Sequence, residues 1–355
     1  MNHSVRFLKL VVTVALLTGL ARAQGPTGTL IVLNKSEATA SLVDLASGEI
    51  VATLPTGTGP HEGAVSGDGR TAVVCNYGQR GAPGSTLTVI DVPGRKVTRT
   101  VNLGTYQRPH GIVFLPDDER VLVTAEAQKA LLVVNVHSGK VEKALDTGQE
   151  TSHMVAYAPQ TGRAYVANIR SGSVSVLDVA AGKRVAIVAT AAGAEGLDLS
   201  PDGKELWVSN RADDSISILD PETNQVLQKL ACASFPIRVK FTPDGRRVLV
   251  SNARSGDVAV FDAHTRKEVR RISMELTAVE NKEQRLFGDQ FGKSPVPVGI
   301  LIHPSGRWAF VANTNADLVT VIDLNSWRIT GRLKTGKEPD GMAFSPLVLR
   351  QQADK

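Results

Sequence analysis

Short apolar runs of about five residues recur along the chain, and each closes on a polar residue. One series of closures is asparagine: Asn34 (LIVLN), Asn76 (AVVCN), Asn168 (AYVAN), Asn210 (LWVSN), Asn252 (VLVSN) and Asn313 (AFVAN), with Glu126 (VLVTAE) filling the gap. A second series is Asp44, Asp91, Asn135, Asp178, Asp220, Asp262 and Asp323. A third is a turn signal, such as Pro201-Asp202-Gly203 and Pro243-Asp244-Gly245, with Gly67-Asp68-Gly69 in its place once. The runs are too short and too rich in valine for helices, and their spacing predicts strands joined by tight hairpins. The aspartate or asparagine of the second series is expected to accept hydrogen bonds from its own turn.

The series define seven units of about 42 residues, each with four predicted strands. Four strands at that period predict a β-propeller blade. The two ends complete one another: Thr29–Leu33 reads as a second strand lacking a first, and Gly341–Ser345 as a first strand lacking a second. The predicted fold is therefore all-β, a seven-bladed β-propeller over residues 24–346, closed by the C-terminal strand completing the N-terminal blade. Closure leaves no open sheet edge. Residues 347–355 read as a polar tail. Length alone, 355 residues, would have allowed two or three domains.

Residues 1–23 carry the three parts of an export signal: Arg6 and Lys9, an apolar run from Leu10 to Leu20, and Ala21-Arg22-Ala23. Losing Arg6, Lys9 and Arg22 lowers the formal charge from +5 to +2. So small a charge gives no support for a nucleic-acid partner. The expected product is an exported monomer, periplasmic or secreted, with no transmembrane anchor after cleavage.

Ala164–Asn168, Val311–Asn313 with Val321–Asp323, and Pro339–Pro346 (PDGMAFSP) resemble the YVTN-type, YncE-like repeats of exported bacterial seven-bladed propellers. The resemblance implies the fold over about residues 28–346 but not an activity. The wider superfamily is similar to the haem domain of exported nitrite reductases, amine dehydrogenase heavy chains and lactonase propellers. One such fold hosts many functions, so function must come from a site.

Counting six residues back from each turn proline, or from Gly67, picks out equivalent positions at one end of the first strands: His61, His110, His153, Glu195, Ile237, Val298 and Asp340. In a closed ring the five ionisable ones lie on consecutive blades. His61, His110 and His153 form a candidate transition-metal set, since imidazole suits such ions and carboxylates complete or orient them. Glu62 adjoins His61, and Arg238 follows Ile237 where a glycine or other small residue is usual. A polar pocket for an organic ligand and a structural role for these residues stay open beside the metal.

Lys35, Arg108, Arg170, Arg211 and Arg254 are expected on the same rim, where with Arg238 they offer a site for an anionic group; for Lys35 and Arg254 a solvated face is the favoured reading. The interval from Asn252 to Asn313 exceeds the others and places an insertion at 274–297, on the same face. Leu286–Gly292 (LFGDQFG) reads as an ordered lid. Asp198 and Lys240, at equivalent positions on adjacent blades, are expected to pair.

No Cys-x-x-Cys-His is present, so no covalent c-type haem is attached, and the cofactor stays unknown. Cys75 and Cys232 read as packed thiols on distant blades. There is no Gly-x-Ser-x-Gly elbow, no recurrent tryptophan and no acidic calcium loop. The leading reading is a ligand-binding or protein-interaction module of the cell envelope, for a small molecule or an envelope protein. A metal- or tetrapyrrole-dependent enzyme or carrier is second, and a lactonase-like hydrolase third.

Overall fold

The computed structural model describes residues 25–279 and 285–350. The residues read as an export signal and the last residues of the predicted tail lie outside that range. Among the described residues the strands form seven four-stranded antiparallel sheets. Six blades are contiguous in sequence. The seventh joins Pro339–Ser345 to Thr29–Asn34, Thr39–Asp44 and Glu49–Pro55, as the split ends require. We call that one blade 1 and number the others in chain order. The innermost strands of blades 2 to 7 are Pro60–Val65, Pro109–Phe114, Ser152–Ala158, Ala194–Leu199, Pro236–Phe241 and Pro297–Ile302. Each contacts its neighbours on both sides, and the ring closes on the innermost strand of blade 1.

The two polar series do different work. Each member of the aspartate series accepts a backbone N–H from its own turn, as Asp178 does from Ala181 and Asp262 from Thr265. The asparagines clamp a hairpin instead. Asn210 Nδ2 donates to Ser215 and Ser217, and Asn168 Nδ2 to Ser175. Blades pack through apolar faces such as Trp207, Phe241 and Phe261. Asp198 and Lys240 pair at 3.2 Å, half-exposed on neighbouring innermost strands.

The chain does not leave the body at Pro346. Leu349 is buried against Ile31, Leu42 and Ile90, so part of the predicted tail belongs to the core.

One irregularity recurs in every blade and builds the site. The residue before each innermost strand has positive φ: Gly59, Arg108, Thr151, Gly193, Phe235, Val296 and Glu338. The ladder then slips, for example between Pro109 and Ile112 or between Pro236 and Val239. Two residues per blade are left out of register there. A bulge of this kind re-aims side chains, and five of the seven positive-φ residues are not glycine. Glycine fills the second bulge position where blades crowd most: a Cβ on Gly111 would stand 2.5 Å from the His153 carbonyl, and one on Gly341 2.1 Å from that of His61.

Candidate functional site

The first bulge position holds Asp340, His61, His110, His153, Glu195, Ile237 and Val298 around the ring. The second holds Glu62 on blade 2 and Arg238 on blade 6. The residue just after each second strand faces the same space. The register corrects one assignment here: Pro109 pairs with Ala125 as Pro236 pairs with Asn252. Ala125, not Glu126, therefore occupies the asparagine position, and Glu126 is free to turn into the funnel. Its equivalents on blades 1, 2 and 5 are Lys35, Tyr77 and Arg211.

These residues form a belt that passes from blade to blade. Tyr77 Oη donates to Glu126 at 2.7 Å. Glu126 lies 2.5 Å from His153 Nδ1, and His153 Nε2 lies 3.4 Å from Glu195. Glu195 accepts from Arg211 at 2.7 Å and from Arg238 at 3.4 Å. Arg238 reaches across the ring to Glu62, its Nε at 3.1 Å. That bridge lines one end of a cavity of about 380 Å³, which opens toward the turns at Pro159 and Pro201.

Beside the belt stand two neutral imidazoles. His61 Nδ1 donates to the Gly59 carbonyl at 2.8 Å, since a carbonyl only accepts. His61 Nε2 is then a free acceptor, 4.0 Å from Asp340. The His110 ring lies 5.0 Å from that of His61 and 3.5 Å from that of His153. Tyr77 packs on His61, with ring centroids 4.4 Å apart. All the belt residues except Tyr77, Glu62 and Arg211 are buried.

Burial and charge sort the ionisable groups. Desolvation pushes His61 and His110 well below the ordinary histidine range, helped by Lys35 and His153 respectively. Burial acts on His153 too, but hydrogen bonds to Glu126 and Glu195 outweigh it and raise its value. Burial would raise Glu195, yet Arg211, His153 and Arg238 hold it at about 2. For Asp340 burial wins over Lys35 and Arg238, and its carboxyl rises to about 6. Tyr77 is pushed up by burial and by Glu126.

Two polar atoms in this space are buried without a hydrogen-bond partner: Lys35 Nζ, which has only an ion pair to Asp340 at 3.8 Å, and His110 Nδ1. Lys35 is thus no member of a solvated face. Burial lowers its pKa, against the pull of Asp340. Arg170 is exposed beside Glu150, half-exposed Arg254 lies over the Phe235 and Phe291 rings, and Arg108 lies over the Tyr77 ring. Both cysteines are free and buried, as expected of packed thiols.

The three predicted histidines do converge. The atoms that one ion would reach, however, belong to His110, Glu126 and His153, which lie within 4.8 Å of one another; His61 is not among them. Tyr77 and Glu126 are the residues that sequence reading missed. Their signal was the position after the second strand, obscured by placing Glu126 in the asparagine series.

The insertion packs on the other side of the rim. Phe291 is buried with Ile237, Ala253, Val296 and Val298, and Phe235 and Phe287 pack against it. Arg285 forms a two-pronged ion pair with Asp317, and the Leu286 N–H donates to Glu338.

Residues 8–120 match the model of the YNCE-like beta-propeller, and residues 152–282 that of the seven-bladed lactonase beta-propeller. The chain is a seven-bladed propeller with YNCE-like and lactonase-like stretches. No curated protein matches it. Hydrazine synthase of Kuenenia stuttgartiensis is similar, with a TM-score of 0.68 and 20% identity over 81% of this chain and 90% of that one. A functionally unknown protein from Desulfotomaculum acetoxidans gives 0.74 and 17% over 90% and 99%. The dihydro-heme d1 dehydrogenase NirN, in complex with DHE, gives 0.60 and 17% over 89% and 75%. At such identities the likeness concerns the fold alone.

Proposed function

We propose that this propeller is an exported ligand-binding protein that holds a small polar ligand at the floor of its funnel, without turnover of its own. One observation carries the reading. Lys35 Nζ and His110 Nδ1 are buried with no hydrogen-bond partner, Lys35 having only a long ion pair to Asp340 at 3.8 Å, although the surrounding belt is hydrogen-bonded. Burying such groups unpaired costs free energy, and native interiors leave few of them. A ligand with an acceptor for Lys35 and a group for His110 removes the cost. Export rests on the pattern of residues 1–23, and a mature N-terminus at Gln24 on the exported protein is the result it requires.

A second reading is a hydrolase: residues 152–282 are lactonase-like, and Asp340 and His61, which lie outside that stretch and 4.0 Å apart, would be its acid–base pair. Native mass spectrometry of the protein purified from its own compartment separates the two. The binding reading expects a non-covalent adduct that disappears in Lys35→Met and in His110→Ala. A bare protein whose melting temperature no small organic acid, sugar, lactone or metal ion raises would contradict it. Consumption of a lactone, lost in Asp340→Asn, would transfer the assignment to the hydrolase.

A further inference from the structure

We infer that His110, Glu126 and His153 bind one divalent first-row transition-metal ion. The inference rests on the ligand-binding reading of the funnel and names the ligand class. Three observations carry it. First, each side chain offers a ligand atom within 4.8 Å of the other two, and all three residues are buried. Second, His110 Nδ1 is buried and unpartnered. Both nitrogens of His153 face carboxylates and His61 Nδ1 donates to a carbonyl, whereas His110 Nδ1 meets no group of the protein. Third, the surrounding contacts are those that orient ligands. His153 Nε2 faces Glu195, and the second oxygen of Glu126 accepts from Tyr77. A ligating histidine usually has a carboxylate on its other nitrogen, and a ligating carboxylate is usually hydrogen-bonded.

The donor set selects the ion. Two imidazole nitrogens and one carboxylate oxygen suit zinc, iron(II), cobalt(II) or copper(II), whereas magnesium and calcium prefer oxygen throughout. Three protein ligands leave a position open for water or a second small ligand. The trio has to open slightly to admit an ion. Glu126 and His153 Nδ1 stand 2.5 Å apart, whereas two ligands on bonds of about 2.1 Å sit roughly 3 Å apart at a right angle. His110 and His153 are stacked at 3.5 Å, so a shared ion meets their edges and one ring turns to present its nitrogen.

Cobalt(II) titration of the full-length exported protein tests this, with visible absorption and equilibrium dialysis as readouts. The expected result is one cobalt per chain, displaced by zinc. His110→Gln, Glu126→Gln and His153→Gln should each weaken binding by about 100-fold or more, and His61→Gln by less than about fivefold. Circular dichroism melts of the same variants confirm that each is folded, and Lys240→Met, outside the site, should bind as wild type. Failure to bind cobalt or zinc stoichiometrically overturns the inference. So does a site lost in His61→Gln but kept in Glu126→Gln. If the metal fails while a native adduct still depends on Lys35, the ligand-binding reading stands without it. If neither is found, both fall.

Discussion

At the first bulge position, blades 1 to 5 carry Asp340, His61, His110, His153 and Glu195, and blades 6 and 7 carry Ile237 and Val298. The backbone is the same around the ring, with a positive φ before the strand and a slipped ladder after it. What differs is what covers it. In the ionisable half, His153 and Glu195 belong to the Tyr77–Glu126–His153–Glu195–Arg238–Glu62 belt, and Asp340, His61 and His110 stand beside it. The apolar half lies under Phe291 and the inserted segment. The repeat thus supplies a scaffold with seven equal sockets, and function is written in how the sockets depart from one another. Arg238 joins the halves. It rises from blade 6, whose own socket is apolar, to satisfy Glu195 and Glu62.

That junction gives the largest expected effect. Arg238→Met leaves Glu195 and Glu62 short of their counter-charge in a dry channel, and breaking a buried pair from one side costs about 3–5 kcal/mol. Urea unfolding measures it. The companion triple variant, Arg238→Met with Glu62→Gln and Glu195→Gln, should recover part of the loss. No recovery would mean that the belt is packing and not charge.

Asp340 tests the ionisable half through pH. Its folded carboxyl titrates at about 6 against an ordinary 3.8, so the folded state holds the proton longer than the unfolded chain. The stability it contributes is present below about pH 4 and lost as pH rises through about 6, a change of up to about 3 kcal/mol. Asp340→Asn lacks that loss. Its stability relative to wild type should climb from about pH 4 to about pH 7 and then level. A flat difference would show that the carboxyl is not desolvated.

Phe291→Ala probes the apolar half and should do least to the whole. A buried phenylalanine truncation costs about 3 kcal/mol or more where the site cannot relax. Here it empties a loop-borne cluster whose local opening limits the global loss to about 1–2 kcal/mol. Hydrogen exchange should quicken in 285–296 and not in the blade cores. Faster exchange throughout would make the insertion part of the core.

Much of this was legible before any coordinates. The turn aspartates, the split blade, the pairing of Asp198 with Lys240 and the ring positions of His61, His110 and His153 follow from spacing, because a repeat fixes equivalent places. What spacing hid was the register by one residue at Ala125 and Glu126. Both follow an apolar run, and only the pairing with Pro109 tells which closes the strand. Lys35 misled for a related reason: a lysine after a strand usually finds solvent, but a short 3₁₀ turn, Lys35–Glu37, seats it against Asp340. Leu349 was hidden because it lies past Pro346 and the closing strand, just before the polar run Arg350–Gln352.

The most direct measurement is a crystal structure of the protein purified with whatever it carries from its own compartment. The account predicts density in the ionisable half, within bonding distance of His110 and Glu126 and in reach of Lys35. Density only against Ile237, Val298 and Phe291, or only in the cavity beyond the Arg238–Glu62 bridge, would contradict it.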